Sequence, residues 1–126
     1  MKNEINLIDE LELLVKNNSI IPKPMSNNIF RVLRNGKRRG CAAVIYSIPN
    51  HKDKNKYYEK GITLLEFSSV LEEIRKNGFI TRSWFNRNLP ACAKEGSCNF
   101  TSLCGILELL GYVKYAGYGK YIGVEK

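Results

Sequence analysis

The feature that most constrains the fold of this 126-residue chain is a helix signal in its second half that is complete at both ends. Thr63 and Glu66 have the spacing of a capping box, in which the two side chains bond each other's backbone amides at the start of a helix. Apolar residues then recur at helical spacing up to Gly78, a residue that readily adopts the left-handed conformation found after a helix. The sequence therefore predicts a helix between these signals.

Two more helices are predicted after Gly78. Thr81 can cap a short helix that carries Trp84-Phe85, and Pro90 must end that helix because its ring is incompatible with a continuing turn. Asn99 can cap a third helix, which has an apolar side at helical spacing and ends before Gly111.

A β-hairpin is predicted at the end of the chain, because two short aromatic and apolar runs flank the glycine-punctuated turn Ala116–Gly119. Three helices followed by a hairpin resemble the winged-helix (winged helix-turn-helix) DNA-binding domains. The resemblance covers about residues 60–125 and rests on Thr63-Leu64-Leu65-Glu66, Trp84-Phe85, Asn99-Phe100-Thr101 and the Tyr112–Val124 hairpin. It implies an α+β fold in which a three-helix winged-helix core carries a C-terminal β-hairpin wing, and it implies DNA binding.

An N-terminal helix and a basic β-hairpin are predicted to precede this domain. The apolar stripe from Ile5 to Val15 predicts a helix that docks on the rest of the chain or on a second copy. Strands are predicted at 29–34 and 41–48, the second buried on both faces, with Asn35-Gly36 as the two-residue turn between them.

Residues 50–60 are rich in lysine and asparagine and are predicted to be a mobile connector. The chain is therefore divided into an extension, residues 1–60, and a winged-helix-like domain, residues 61–126. We expect the two to share one core, because a chain of about 60 residues forms only a marginal core alone.

Positive charge is concentrated in one part of the sequence. The chain has a formal net charge of +8, and residues 22–60 alone hold ten basic and two acidic residues. Five of these basic residues form a basic cluster on the predicted hairpin: Arg31, Arg34, Lys37, Arg38 and Arg39. Such a concentration attracts polyanions, and each neutralised phosphate makes binding more dependent on salt. We expect the basic cluster to contact a polyanion.

Further nucleic-acid contacts are predicted in the second half. The third predicted helix has few base-reading side chains, which favours contacts to the phosphate backbone over reading of the major groove. The predicted contacts are Arg82, Arg87, Lys94, Asn99, Thr101, Ser102, Lys114, Tyr118 and Lys120.

Catalytic and metal-binding patterns are weak in this sequence. His51 is the one histidine, no phosphate-cradling glycine loop precedes a helix, and paired acid–base groups are not evident, so we expect no enzyme activity. A nuclease-accessory role is the alternative. The cysteine spacing differs from that of structural zinc sites, so no cofactor is expected; Cys92, Cys98 and His51 are the alternative zinc ligands.

These observations predict a small basic protein that binds double-stranded DNA as a regulator of transcription or an accessory factor. The alternatives are a protein-interaction module, which dimerises through its N-terminal helix or binds an acidic partner, and an RNA-binding protein. The sequence contains neither a signal-peptide pattern nor a membrane-spanning apolar run, so we expect a cytoplasmic protein without a membrane partner.

Overall fold

The computed structural model describes residues 4–24, 26–50, 52–53 and 55–124. In this part of the chain the helices are α1 Glu4–Lys16, α2 Leu64–Asn77, α3 Arg82–Asn88, α4 Pro90–Glu95 and α5 Asn99–Leu109. The strands are β1 Ile20–Ile21, β2 Phe30–Arg38, β3 Cys41–Pro49, β4 Tyr57–Thr63, β5 Phe79–Thr81, β6 Val113–Tyr115 and β7 Lys120–Gly123. The predicted α+β class is confirmed.

The strands form two antiparallel sheets. The N-terminal sheet has the order β1-β2-β3-β4, and the second sheet has the order β5-β7-β6. In the second half, β5 follows α2 directly, and α3, α4 and α5 lie between β5 and the C-terminal hairpin of β6 and β7. Because β7 pairs with both β5 and β6, the hairpin is attached to the start of α3.

The local signals at α2 are confirmed. Thr63 and Glu66 form the predicted capping box, with both reciprocal bonds present, and Gly78 ends the helix with a φ of 84°. Pro90 also acts as expected, since α3 ends at Asn88. The proline then becomes the first residue of α4, a helix that the sequence did not predict, because its missing amide is harmless at that position.

The turn of the basic hairpin lies elsewhere than predicted. Asn35 and Gly36 are inside β2, and the turn is at Arg39-Gly40, where both residues have positive φ, 51° and 75°. Gly36 serves a close approach instead, because a Cβ there would stand 2.8 Å from Cγ1 of Ile45. The Asn35-Gly36 prediction was wrong because cross-strand packing determines the register.

The connector prediction was also wrong in part. Tyr57–Thr63 is a strand that pairs along β3, so the second half of the predicted loop belongs to the N-terminal sheet. The first residues of β4 are exposed, and this leaves little apolar pattern to reveal the strand. Residues 51 and 54 lie outside the described residues.

One buried cluster extends through both halves of the chain. It includes Leu7 and Leu11 of α1, Tyr46 of β3, Phe67 of α2 and Phe100 of α5. Helix α1 therefore docks on its own chain, and the hydroxyl of Tyr112 donates to Glu10 at 2.6 Å. The hydrophobic contacts and this hydrogen bond place the N-terminal helix firmly against the second half.

The N-terminal segment covers α5. Eight of the 11 residues of this helix are buried, and a Cβ at Gly105 would stand 2.6 Å from the carbonyl oxygen of Pro22. The prediction that Asn99 caps α5 was wrong, because Cys98 occupies the cap position. The Asn99 side chain instead accepts from the Tyr46 hydroxyl and donates to the Cys92 carbonyl, so it bonds across the core.

Candidate nucleic-acid interface

The basic cluster is largely engaged with carboxylates of the same molecule. Arg39 donates to Glu66 at 2.7 and 2.8 Å, to Glu95 at 2.6 Å and to the Gly61 carbonyl at 2.9 Å. Its neighbour Arg38 donates to Glu95 at 3.2 Å. These bonds join the β2–β3 turn to the start of α2 and the end of α4, which is a structural task.

The electrostatics of this network favour the charged forms of its members. The hydrogen bonds that Arg39 donates to Glu66 raise the pKa of Arg39 further above its ordinary value. Burial opposes ionisation of Glu66 and Glu95, yet the hydrogen bonds and charge of Arg39 outweigh it, so both carboxyl pKa values are lowered. The network is therefore ionised at neutral pH and neutralises its own charge.

Two further arginines of the basic cluster have partners on the N-terminal sheet. Arg34 forms a bidentate pair with Glu59, and Arg31 donates to the Asn18 carbonyl at 2.9 Å. Lys37 is exposed and makes no ion pair among the residues that the structure describes. Among the described residues, Arg31 and Lys37 are therefore the members of the basic cluster without a carboxylate partner, and the other three are neutralised within the protein. This reduces the capacity of the cluster to bind an external polyanion.

The tip of the C-terminal hairpin has a different character. Gly117 and Gly119 have φ of 119° and 71°, conformations that favour glycine, and they hold Tyr118 outward with 84% of its surface exposed. The tip is closed by backbone bonds between Ala116 and Lys120 and between Lys120 and Gly117. A large aromatic side chain is therefore presented to solvent on a defined turn.

Arg82 fixes this tip to the helices. Its amide donates to the Gly119 carbonyl at 2.9 Å, and its Nη1 donates to the Ser97 carbonyl at 2.9 Å. The guanidinium carbon also lies 5.0 Å from the centre of the Phe100 ring, within the range of a cation–π contact. Arg82 thus connects the hairpin tip, the start of α3 and the segment before α5.

Lys23 lies on the other side of the same region and was not among the predicted contacts. Its Nζ donates to Thr101 at 2.6 Å, to Ser102 at 2.9 Å and to the Cys98 carbonyl at 3.3 Å. It also lies 4.2 Å from the centre of the Phe30 ring. Burial lowers its pKa to about 8, so the amine is still mostly protonated at neutral pH.

These groups surround one cavity of about 240 Å³, here called the tip cavity. Its lining is Lys23, Pro24, Ser26, Phe30, Arg82, Ser97, Cys98, Thr101, Tyr115, Tyr118 and Gly119. Three predicted contacts, Arg82, Thr101 and Tyr118, therefore meet in one place. The sequence did not predict Lys23 because it lies between two prolines in an extended segment, and nothing nearby in the sequence indicates which residues it would contact.

The remaining predicted contacts are divided between surface and interior. Arg87, Lys94, Lys114 and Lys120 are exposed, and Nζ of Lys120 lies 4.9 Å from the centre of the Phe79 ring. Asn99 and Ser102 have no exposed surface. Both side chains hydrogen-bond inside the protein, so they do not belong to the candidate interface.

A zinc site receives no geometric support in the described residues, where no group of three or more His, Cys, Asp or Glu side chains is placed to hold a metal ion. Cys92 is buried and Cys98 is half-buried, whereas His51 lies outside the described residues. Burial raises the pKa of Cys92, which disfavours the thiolate that zinc requires.

Comparisons with protein-family models, with curated proteins and with solved structures found no match to this chain. Among the described residues, no helix combines the length and apolar character needed to cross a membrane.

Proposed function

We propose that this protein is a non-enzymatic winged-helix protein that binds double-stranded DNA through its phosphate backbone, as a cytoplasmic regulator or accessory factor. In this proposal the C-terminal hairpin is the wing. The element order α2-β5-α3-α4-α5-β6-β7 and the sheet order β5-β7-β6 support it, because they attach a terminal hairpin to a group of helices.

The observation that carries the proposal is that the positive charges at the C-terminal hairpin, unlike most of those in the basic cluster, are not neutralised by carboxylates of the described residues. Lys114 and Lys120 are exposed on the hairpin, Arg82 backs the tip, and Tyr118 projects from it. Lysine and arginine neutralise phosphates, and a tyrosine hydroxyl can donate to a phosphate oxygen. The surface around the tip therefore offers the groups that hold a nucleic-acid backbone.

Helix α5 limits the type of recognition. Most of its residues are buried, and the Ile21-Pro22 segment lies against Gly105. Direct reading of bases in the major groove needs a helix whose side chains reach the groove. We therefore propose backbone-dominated binding with little base specificity, rather than reading by α5.

The basic cluster does not favour the alternative of binding an acidic protein, since four of its five members bond to groups of the same chain. Dimerisation through α1 stays a prediction, and the buried side of that helix is occupied by its own chain.

The test is binding of a fluorescein-labelled random duplex, followed by anisotropy at 50 and 200 mM salt. We expect non-specific affinity that falls steeply with salt, as about 0.9 counterions are released per neutralised phosphate of B-DNA. Lys114→Glu with Lys120→Glu should abolish binding at the higher salt concentration. The matched control, Lys16→Glu with Lys52→Glu, changes the net charge equally at exposed positions outside the hairpin and should retain most of the affinity.

An absence of duplex binding at 50 mM salt overturns the proposal. Equal losses of affinity in the two double variants would also overturn it, because they would show that net charge alone attracts the duplex. Tighter binding to a structured RNA than to the duplex would assign the surface to RNA instead.

A further inference from the structure

We propose that the tip cavity holds a single unstacked base of a DNA strand, such as one in a single-stranded tail next to the duplex. The inference rests on the proposed function and deepens it, because it names the form of DNA that the hairpin tip prefers.

The walls of the cavity fit a flat aromatic ligand. Tyr118, Tyr115 and Phe30 contribute aromatic rings, and Pro24 adds an apolar surface. Every base presents a π-face that can stack on such a side chain. Tyr118 is the wall most available for stacking, since 84% of its surface is exposed and a Cβ at Gly117 beside it would meet nothing within 4 Å.

The size of the cavity selects one base rather than a base pair. Its volume of about 240 Å³ lies below the range of roughly 300–1,000 Å³ found for sites that bind drug-sized molecules. A base within a duplex is shielded by its stacked neighbours and its pairing partner, so it can enter only after leaving the stack. A strand end or a single-stranded tail supplies such a base at the lowest cost.

Positive groups are placed for the phosphate attached to that base. Arg82 and Lys23 both line the cavity, but the three N–H groups of Lys23 are used by Thr101, Ser102 and the Cys98 carbonyl, so Lys23 adds charge rather than a hydrogen bond. The guanidinium of Arg82 has more N–H donors than its bond to the Ser97 carbonyl uses. A nucleotide combines an aromatic ring with a phosphate anion, and the cavity combines aromatic walls with two cations.

The experiment compares three labelled ligands at one salt concentration: a blunt duplex, the same duplex with a three-nucleotide 3′ tail, and the same duplex with a 5′ tail. We expect one tailed duplex to bind about 5- to 150-fold more tightly than the blunt one, the range that follows from stacking of one base. A 2-aminopurine at the first tail position should lose fluorescence on binding, which reports stacking directly.

Tyr118→Ala should remove the preference for the tail and the fluorescence change, whereas Tyr118→Trp should keep both. Tyr58→Ala is the matched control, since Tyr58 is an exposed tyrosine on the N-terminal sheet, and it should behave like the original protein. Because Tyr118 projects into solvent, its loss should leave the urea midpoint unchanged, and this separates loss of contact from unfolding.

Equal affinity for blunt and tailed duplexes overturns the inference while leaving the proposed duplex binding intact. A tail preference that survives Tyr118→Ala also overturns it, because the base then binds elsewhere. Failure of all three ligands to bind overturns the proposed function itself.

Discussion

The β2–β3 hairpin and the C-terminal hairpin are both basic, but they use their charges differently. On β2 and its turn, Arg34, Arg38 and Arg39 pair with Glu59, Glu66 and Glu95. On the C-terminal hairpin, Lys114 and Lys120 are exposed, and the described residues provide them with no ion pair. The richer cluster in the sequence is thus the poorer candidate for binding a polyanion.

The difference shows that a charge count per segment does not measure the charge available to a ligand. Glu66 and Glu95 belong to α2 and α4, far from the basic cluster in sequence. The fold brings them together because β3 and β4 pack beside α2, and the turn at Arg39-Gly40 directs the guanidinium inward. Substitutions in the two regions test this division between structural and available charge.

The largest expected effect is on stability when Arg39 is replaced. Asn tolerates positive φ, so Arg39→Asn keeps the turn and removes the guanidinium from Glu66, Glu95 and the Gly61 carbonyl. Arg39 and Glu95 keep 20% and 24% of their side-chain surface exposed, so removing the guanidinium costs about 2–3 kcal/mol, less than for a fully buried pair. We expect a loss of that size in the free energy of urea unfolding.

Lys37→Asn is the control for this variant, because Lys37 is an exposed basic residue of the same hairpin, where a substitution usually costs less than about 0.5 kcal/mol. Similar urea midpoints for the two variants would show that the Arg39 network is not structural, and the basic cluster would return as a candidate interface.

A second effect on stability is expected where the N-terminal segment covers α5. In Gly105→Ala the new Cβ would meet the Pro22 carbonyl at 2.6 Å and Cγ2 of Ile21 at 2.7 Å, so the backbone must shift. Overpacking of this kind costs about 1–3 kcal/mol, more than alanine gains as a helix former. Thermal unfolding should therefore show a lowered midpoint.

Gly96→Ala is the comparison, because its Cβ would meet the flexible side chain of Lys60 at 3.3 Å and its φ of −167° suits any residue. An unchanged midpoint in Gly105→Ala would contradict the close packing of the segment on α5, and the proposal that α5 cannot read bases would lose its basis.

Acid should weaken the stabilising network of Arg39, Glu66 and Glu95. Burial alone would raise the pKa values of Glu66 and Glu95, but the bonds and charge of Arg39 lower them below the ordinary 4.5. A carboxyl group with a lowered pKa in the folded state stabilises the protein above its unfolded pKa, and this contribution disappears as the pH falls through the folded value. Stability should therefore decline as the pH falls below about 4.5.

The measurement is the urea midpoint between pH 6 and pH 3 in the original protein and in Arg39→Asn. The variant lacks the partner that lowers both pKa values, so its midpoint should depend less on pH in this range. Parallel curves for the two proteins would locate the acid sensitivity in other carboxylates.

Some local signals in the sequence predicted local structure correctly, although the Asn35-Gly36 turn and the Asn99 cap did not. The capping box of Thr63 and Glu66, the left-handed Gly78 and the C-terminal hairpin all depend on residues close together in the chain, and all are confirmed. The winged-helix resemblance and the DNA contacts depend on more than local signals, and they stay proposals.

What the sequence could not predict depends on distant partners. Asparagine is a residue type that often caps helices, but the side chain of Asn99 hydrogen-bonds to Tyr46 and to the Cys92 carbonyl in the core. Lys23 is one of many lysines until the fold places it beside Thr101 and Phe30. Spacing along the chain does not encode these contacts, so both the neutralised basic cluster and the tip cavity emerge only from the tertiary structure.

The smallest predicted effect is on the salt dependence of DNA affinity, and it tests whether the DNA-binding surface extends from the C-terminal hairpin onto α3. Helix α3 begins at Arg82, whose amide is bonded to Gly119 of the tip, and Arg87 is exposed in the last turn of the same helix. If a duplex lies along the hairpin and α3, Arg87 neutralises one phosphate. Arg87→Gln should then reduce the slope of log affinity against log salt by about 0.9.

Lys37→Gln provides the matched comparison, because it removes one exposed charge from the β2–β3 hairpin and should leave the slope unchanged. Both slopes are measured by anisotropy titrations of the blunt duplex at several salt concentrations. A reduced slope in Lys37→Gln alone would move the interface to the N-terminal sheet. Reduced slopes in both variants would mean that a duplex contacts the β2–β3 hairpin as well as α3. The two regions would then differ in how many charges they contribute rather than in whether they bind.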